Sequence, residues 1–210
     1  MSAARSSSTL LNAPFDNGDR LTRVEFHRRY ETAPDLKKAE LIEGVVYLGS
    51  PVRIEHSNAE GELGGWLATY RASVPGLEIP HNGTVVLDED NEFQPDIMLR
   101  RSDGGTSRVE DGYVHGGPEL VVEIAASSIS RDLHAKKNVY RRNRVQEYIV
   151  WRVLDGELDW FALHEGEYRL LAPDADGVIH SEVFPGLRLA VTKLLAGDFA
   201  AVMSAQQRPA

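Results

Sequence analysis

From Glu55 to about Val74, apolar residues recur at three- and four-residue steps, placing Ala59, Leu63, Trp66, Leu67 and Tyr70 on one face. This spacing predicts an amphipathic helix, closed by Pro75-Gly76. A shorter helix is expected over TRVEFHRRYE, with Thr22 as N-cap, Glu25 completing a capping box, and Val24, Phe26 and Tyr30 at helical spacing. Elsewhere the period falls to two. KAELIEGVVYLGSP reads as a hairpin about Glu43-Gly44, and LEIPHNGTVVLDEDNEFQPDIMLRR as two or three short strands turning at Asn82-Gly83 and Asp90-Asn91. QEYIVWRVLDGELDWFALHEGEYRLL reads as three strands joined at Asp155-Gly156 and Glu165-Gly166. A Gly-rich loop is expected from about Ser102 to Gly117, and one short helix around Val191 to Ala205. Residues 1–18, small, polar and Pro/Gly/Asn-punctuated, are expected to form a disordered tail ahead of a single domain over residues 19–205.

The segment ELVVEIAASSISRDLHAKKNVY predicts a strand over Glu119 to Ala125 and a helix over roughly Ser130 to Asn143. In that strand Val121, Glu123 and Ala125 share one face while Leu120, Val122 and Ile124 share the other. Apolar residues fill both faces, so the strand is expected to be central and covered on each side. Glu123 is then a buried carboxylate, which costs several kcal/mol unless it is neutralised, hydrogen-bonded or bound to a cation. Asp96 poses the same problem, because it precedes the apolar run Ile97, Met98 and Leu99. On the helix, steps of about 100° put Leu133 and Tyr140 about 20° apart, with the apolar arc centred near Lys136. Lys136, rather than Lys137 at the edge of that arc, is the expected inward cation, and Asp132 shares much of its face. His56, near the start of the long helix, and Glu40, in the first hairpin, are auxiliary candidates. The competing reading of these charges is an ordinary buried ion-pair network.

Composition narrows the classes. A chain of 210 residues with 42% hydrophobic residues can bury one sizeable core. There is no cysteine, which excludes disulfides and thiolate metal sites and suits a reducing, cytoplasmic setting. No apolar run reaches the roughly 18 residues of a membrane span, and the first residues lack the apolar core of a signal peptide. The formal charge of −9 argues against a broad basic surface for duplex DNA. A local rim is available from Arg131, Arg141, Arg142 and Arg144 on the predicted helix, with Arg100 and Arg101 nearby. The aromatic residues Trp151, Trp160, Phe161 and Tyr168 fall in alternating strands and read as core or dimer interface.

QPDIML, ELVVEIAASSISRDLHAKKNVYRRNRVQEYIVW and AELIEGVVYLGSPVRIEH together resemble the Uma-type family of bacterial proteins, a domain of unknown function often labelled "putative restriction endonuclease". That family belongs to the PD-(D/E)XK nuclease superfamily, and the resemblance covers about residues 20–195. It implies an α/β (α+β) fold with a restriction-endonuclease-like core: a mixed central sheet flanked by helices, with added antiparallel strands. It implies Pro95-Asp96 as the "PD" and Glu123 as the acid of the next strand. The lysine usually found two residues after that acid is replaced by Ala125, and Lys136 would take its place. Asp96 and Glu123, with the carbonyl of Ile124, would hold Mg²⁺ or Mn²⁺ through hard oxygen ligands. The implied activity is metal-assisted phosphodiester hydrolysis by a homodimer acting on nucleic acid, DNA in preference to RNA, with the arginine rim contacting phosphates. Two alternatives accompany it: a catalytically silent binding or assembly module on the nuclease fold, and a structural homodimer with a buried ion-pair network.

Overall fold

The computed structural model describes residues 15–207. Its centre is a six-stranded sheet in the order β12-β11-β10-β9-β6-β3, formed by Leu77–Glu78 (β3), Ile97–Arg101 (β6), Leu120–Ala125 (β9), Glu147–Arg152 (β10), Glu157–His164 (β11) and Glu167–Leu170 (β12). Strands β9 and β10 run parallel, and every other neighbouring pair is antiparallel. The parallel pair is joined by a helical crossover, as parallel strands require. All six residues of β9 are buried, as expected for a central strand.

The two faces of β9 feed separate cores. Leu120, Val122 and Ile124 pack with Leu63, Trp66, Leu67 and Tyr70 of a long helix, α2, Ile54–Ser73. Val121 and Ala125 pack instead with Val139 and Tyr140 of the crossover, and with Phe93, Met98 and Tyr148. Glu123 projects on this second side, among Val121, Ala125 and their partners.

A second sheet, β2-β1-β5-β4-β8-β7, is built from Ala39–Ile42 (β1), Val45–Leu48 (β2), Val85–Asp88 (β4), Asn91–Phe93 (β5), Arg108–Glu110 (β7) and Tyr113–His115 (β8). The β1–β2 hairpin turns through Glu43 and Gly44, both at positive φ (51° and 74°), the conformation that a two-residue type I′ turn requires. The first helix, α1, Arg23–Glu31, has Thr22 as its N-cap, accepting from the Glu25 amide at 3.3 Å. The Glu25 carboxylate does not return to the cap and pairs with Arg28 and Arg29.

Four expectations are corrected. The span expected as a Gly-rich loop contains the β7–β8 hairpin, turning at Asp111-Gly112 (φ 51° and 86°); β7 is three residues long and exposed throughout, with Val109 its one apolar residue. The C-terminal helix is two, α4 (Val191–Leu195) and α5 (Phe199–Gln207), separated around Gly197 at φ 74° and preceded by the hairpin Val178–His180 (β13) with Arg188–Ala190 (β14). The crossover is not α-helical throughout: Arg131–Lys136 is π-helical and continues into α3, Lys137–Arg142. Finally, Phe15 lies within the expected tail yet is buried and stacked on Phe26 at 4.9 Å, so ordered structure begins before residue 19; residues 1–14 lie outside the described residues.

Candidate active site

Asp96 sits where the chain enters β6. Ile97 pairs with Val122 across the antiparallel β6–β9 ladder, so one step further along the register Asp96 stands opposite Glu123. Its Oδ2 accepts the Ile124 amide at 2.7 Å and lies 3.2 Å from His56 Nε2, while Oδ1 accepts from Lys38 Nζ at 3.1 Å. Burial alone would raise the Asp96 carboxyl, but His56, Lys38 and the Ile124 N–H hold it well below the usual carboxylate range. Asp96 is therefore an anion at any physiological pH.

Glu123 is placed by the alternation of β9 and is only 3% exposed. Its Oε1 accepts from Lys136 Nζ at 2.6 Å and from the Tyr140 hydroxyl at 2.7 Å. Burial pushes its carboxyl up to about 8; Lys136 opposes the shift, while Asp96, Asp132 and Glu40 reinforce it. The two carboxyls on facing strands are thus shifted in opposite directions: His56, Lys38 and a backbone donor overcome burial at Asp96, whereas burial and the neighbouring acids overcome Lys136 at Glu123.

Lys136 closes the π-helical segment and is 2% exposed, with its ammonium between Glu123 and Glu40, the latter at 2.9 Å. Burial would lower its pKa, but Glu123, Glu40 and Asp132 raise it instead, so it stays protonated. Glu40, on β1, also accepts the Gln94 amide at 2.9 Å. Burial raises the Glu40 carboxyl, yet Lys136 and Lys38 outweigh it and hold the group low. Asp132 is buried and accepts from the Ser128 hydroxyl; among the described residues it makes no ion pair with Lys136, although its charge acts on that ammonium. A π-helical turn in a crossover is uncommon and recurs at functional sites; here it ends on the cation that completes the cluster.

These groups line one cleft of about 390 Å³, shared by Asp96, Glu123, Lys136, Glu40, His56 and Asp132. Ile124 and Arg131 line it too. The other arginines of the expected rim lie elsewhere. Arg141 donates to Gly166 O and pairs with Glu167, Arg142 pairs with Glu43 and Asp88, and Arg144 lines a separate surface depression with both. Arg100 is buried against Glu78, and Arg101 lies over the Phe184 ring. Sequence reasoning missed Lys38, although it stands two residues before Glu40 and shares its strand face. It also treated Tyr140 as packing alone, whereas the hydroxyl fixes Glu123.

Among the described residues no three His, Asp or Glu side chains converge on a common metal position. The donor set nevertheless suits a hard divalent cation, since Mg²⁺ is held by one or two carboxylates and completes its shell with water and substrate oxygens. Asp96, Glu123, Glu40 and Asp132 bring four carboxyl groups to this cleft, beside the basic groups of Lys38, Lys136, His56 and Arg131.

The fold and this cleft define a class. Residues 23–192 match the Uma2 family, described as "Putative restriction endonuclease", and the chain belongs to that family. Among solved structures it is similar to a protein from Anabaena variabilis ATCC 29413, described as a putative nuclease belonging to DUF820; the two share 14% identity with a TM-score of 0.60, over 84% of this chain and 97% of that one. At that identity the likeness establishes the fold, a mixed α+β arrangement shared with that protein. No curated protein matches the sequence.

Proposed function

We propose that this protein is a divalent-metal-dependent nuclease that hydrolyses phosphodiester bonds in the cleft between β6, β9 and the π-helical crossover. The observation carrying this reading is the placement of Asp96 opposite Glu123, with Lys136 bound to Glu123 from the crossover. Asp96 and Glu123, with the Ile124 carbonyl, are the candidate ligands for Mg²⁺ or Mn²⁺. The ion would supply Lewis-acid stabilisation of phosphate charge and a water activated near neutral pH. Lys38 and His56 keep Asp96 ionised, and Tyr140 fixes the Glu123 rotamer. Lys136 is permanently protonated, so it serves as an electrostatic stabiliser and an orienter of water rather than as a base. Two of its three protons are taken by Glu123 and Glu40, leaving the third for a substrate or water oxygen. The test is cleavage of labelled oligonucleotides with Mg²⁺ or Mn²⁺, for which Asp96→Asn and Glu123→Gln should each abolish product.

A second reading, a structural ion-pair network, is supported by the partners that Asp96 already has on both oxygens. It predicts no metal-dependent change in stability and no cleavage.

A further inference from the structure

Several arginines elsewhere at the surface are engaged by acids. Arg141 serves Glu167, Arg142 serves Glu43 and Asp88, Arg108 serves Glu110, and Arg152 serves Asp155, Glu157 and Asp159. Arg131 differs. It lines the cleft, and its guanidinium lies over the Tyr47 ring, 5.0 Å from the centroid. Its Nε is buried without a hydrogen-bond partner, and among the described residues the group makes no ion pair. A guanidinium held by an aromatic face instead of a carboxylate keeps its planar fork of donors for an incoming ligand. Such a fork matches the non-bridging oxygens of a phosphate.

The size of the site limits what that phosphate can belong to. The cleft of about 390 Å³ is at the small-molecule end of the usual range of roughly 300–1,000 Å³. Arg53, which also lines the cleft, is paired with Glu55.

Resting on the nuclease reading above, we propose that the cleft receives nucleic acid as one unpaired strand, with Arg131 holding a backbone phosphate beside the reaction centre. Tyr47 is a positioning residue that holds the guanidinium flat. Duplex regions are excluded unless they fray or expose an extrahelical nucleotide.

The experiment is fluorescence anisotropy of the full chain with a labelled single-stranded 12-mer and the matching blunt duplex, with Ca²⁺ as a binding surrogate for Mg²⁺. The single strand should bind at least tenfold tighter than the duplex. Arg131→Gln should weaken single-strand binding about tenfold and lower the salt slope by roughly 0.7, the share of one phosphate contact in a single strand. Arg131→Lys, which keeps the charge but loses the fork, should recover only part of the affinity, and Arg142→Gln should leave it unchanged. Circular dichroism melts of each variant separate lost binding from lost folding. Equal binding of duplex and single strand, no binding of either, or an Arg131→Gln variant with wild-type affinity would overturn the proposal. Metal-dependent cleavage of duplex would do so while leaving the nuclease reading intact.

Discussion

Lys136 Nζ lies 2.6 Å from Glu123 Oε1, although the lysine comes from the crossover and the acid from β9. The position two residues after Glu123 is Ala125, buried and packed, so the cation reaches the acid from outside the strand. Lys136→Ala would leave Glu123 and Glu40 buried without their shared partner. It should abolish cleavage and cost about 3–5 kcal/mol of stability, read from urea unfolding. Lys137, whose ammonium lies over the Phe161 ring at 3.5 Å, should tolerate alanine with activity intact and a loss of about 1 kcal/mol.

The raised Glu123 carboxyl gives the metal-free protein a distinctive pH dependence. Its folded value, about 8, exceeds the ordinary 4.5, so between these the folded state holds a proton that the unfolded state has lost. Stability from this group is complete below about pH 4.5 and declines as pH rises towards 8, by up to about 1.4 kcal/mol per pH unit. Thermal unfolding in EDTA from pH 5 to 8.5 should show this decline in the wild type and a flatter profile in Glu123→Gln. Parallel profiles would mean that Glu123 is ionised throughout.

Asp96 has the opposite sign. Its depressed carboxyl contributes stability above its ordinary range, lost as pH falls below about 4. Because Lys38 and His56 support the anion, Lys38→Gln should let the Asp96 carboxyl rise. The acid limb of the stability–pH profile, read from thermal unfolding in EDTA between about pH 2 and 5, should then move upward. An unshifted limb would show that Lys38 does not govern Asp96.

Where local chemistry decides the structure, the sequence was legible. The alternation of β9 announced both cores and the buried Glu123, and the helical spacing from Ala59 to Tyr70 announced α2. Asp96, Glu123, Lys136, Glu40 and His56 were each singled out, and the fold brings them to one cleft. The rest depended on tertiary context. The π-helical turn has no periodic signature of its own. The short, exposed β7 had only Val109 to mark it, although Asp111-Gly112 signalled its turn. The arginines of α3 looked like a rim because the sequence does not show that Glu43, Asp88 and Glu167 fold back to meet them. Asp132 shares the face of Lys136 as expected, yet its hydrogen bond is with Ser128.

The central claim, that Asp96 and Glu123 hold a divalent cation, is tested most directly by thermal unfolding of wild type and Asp96→Asn in EDTA and in Mn²⁺. Replacing Asp96 should lower metal-free stability, because Lys38 and His56 lose their anion, so that drop alone does not separate a metal site from an ion-pair network. The metal-induced shift does. Mn²⁺ at about 100 times its dissociation constant should stabilise the wild type by roughly 2.7 kcal/mol, or on the order of 5–10 °C for a domain of this size. Asp96→Asn should lose most of that shift; equal shifts in the two proteins, or none in the wild type, would contradict a metal site between Asp96 and Glu123.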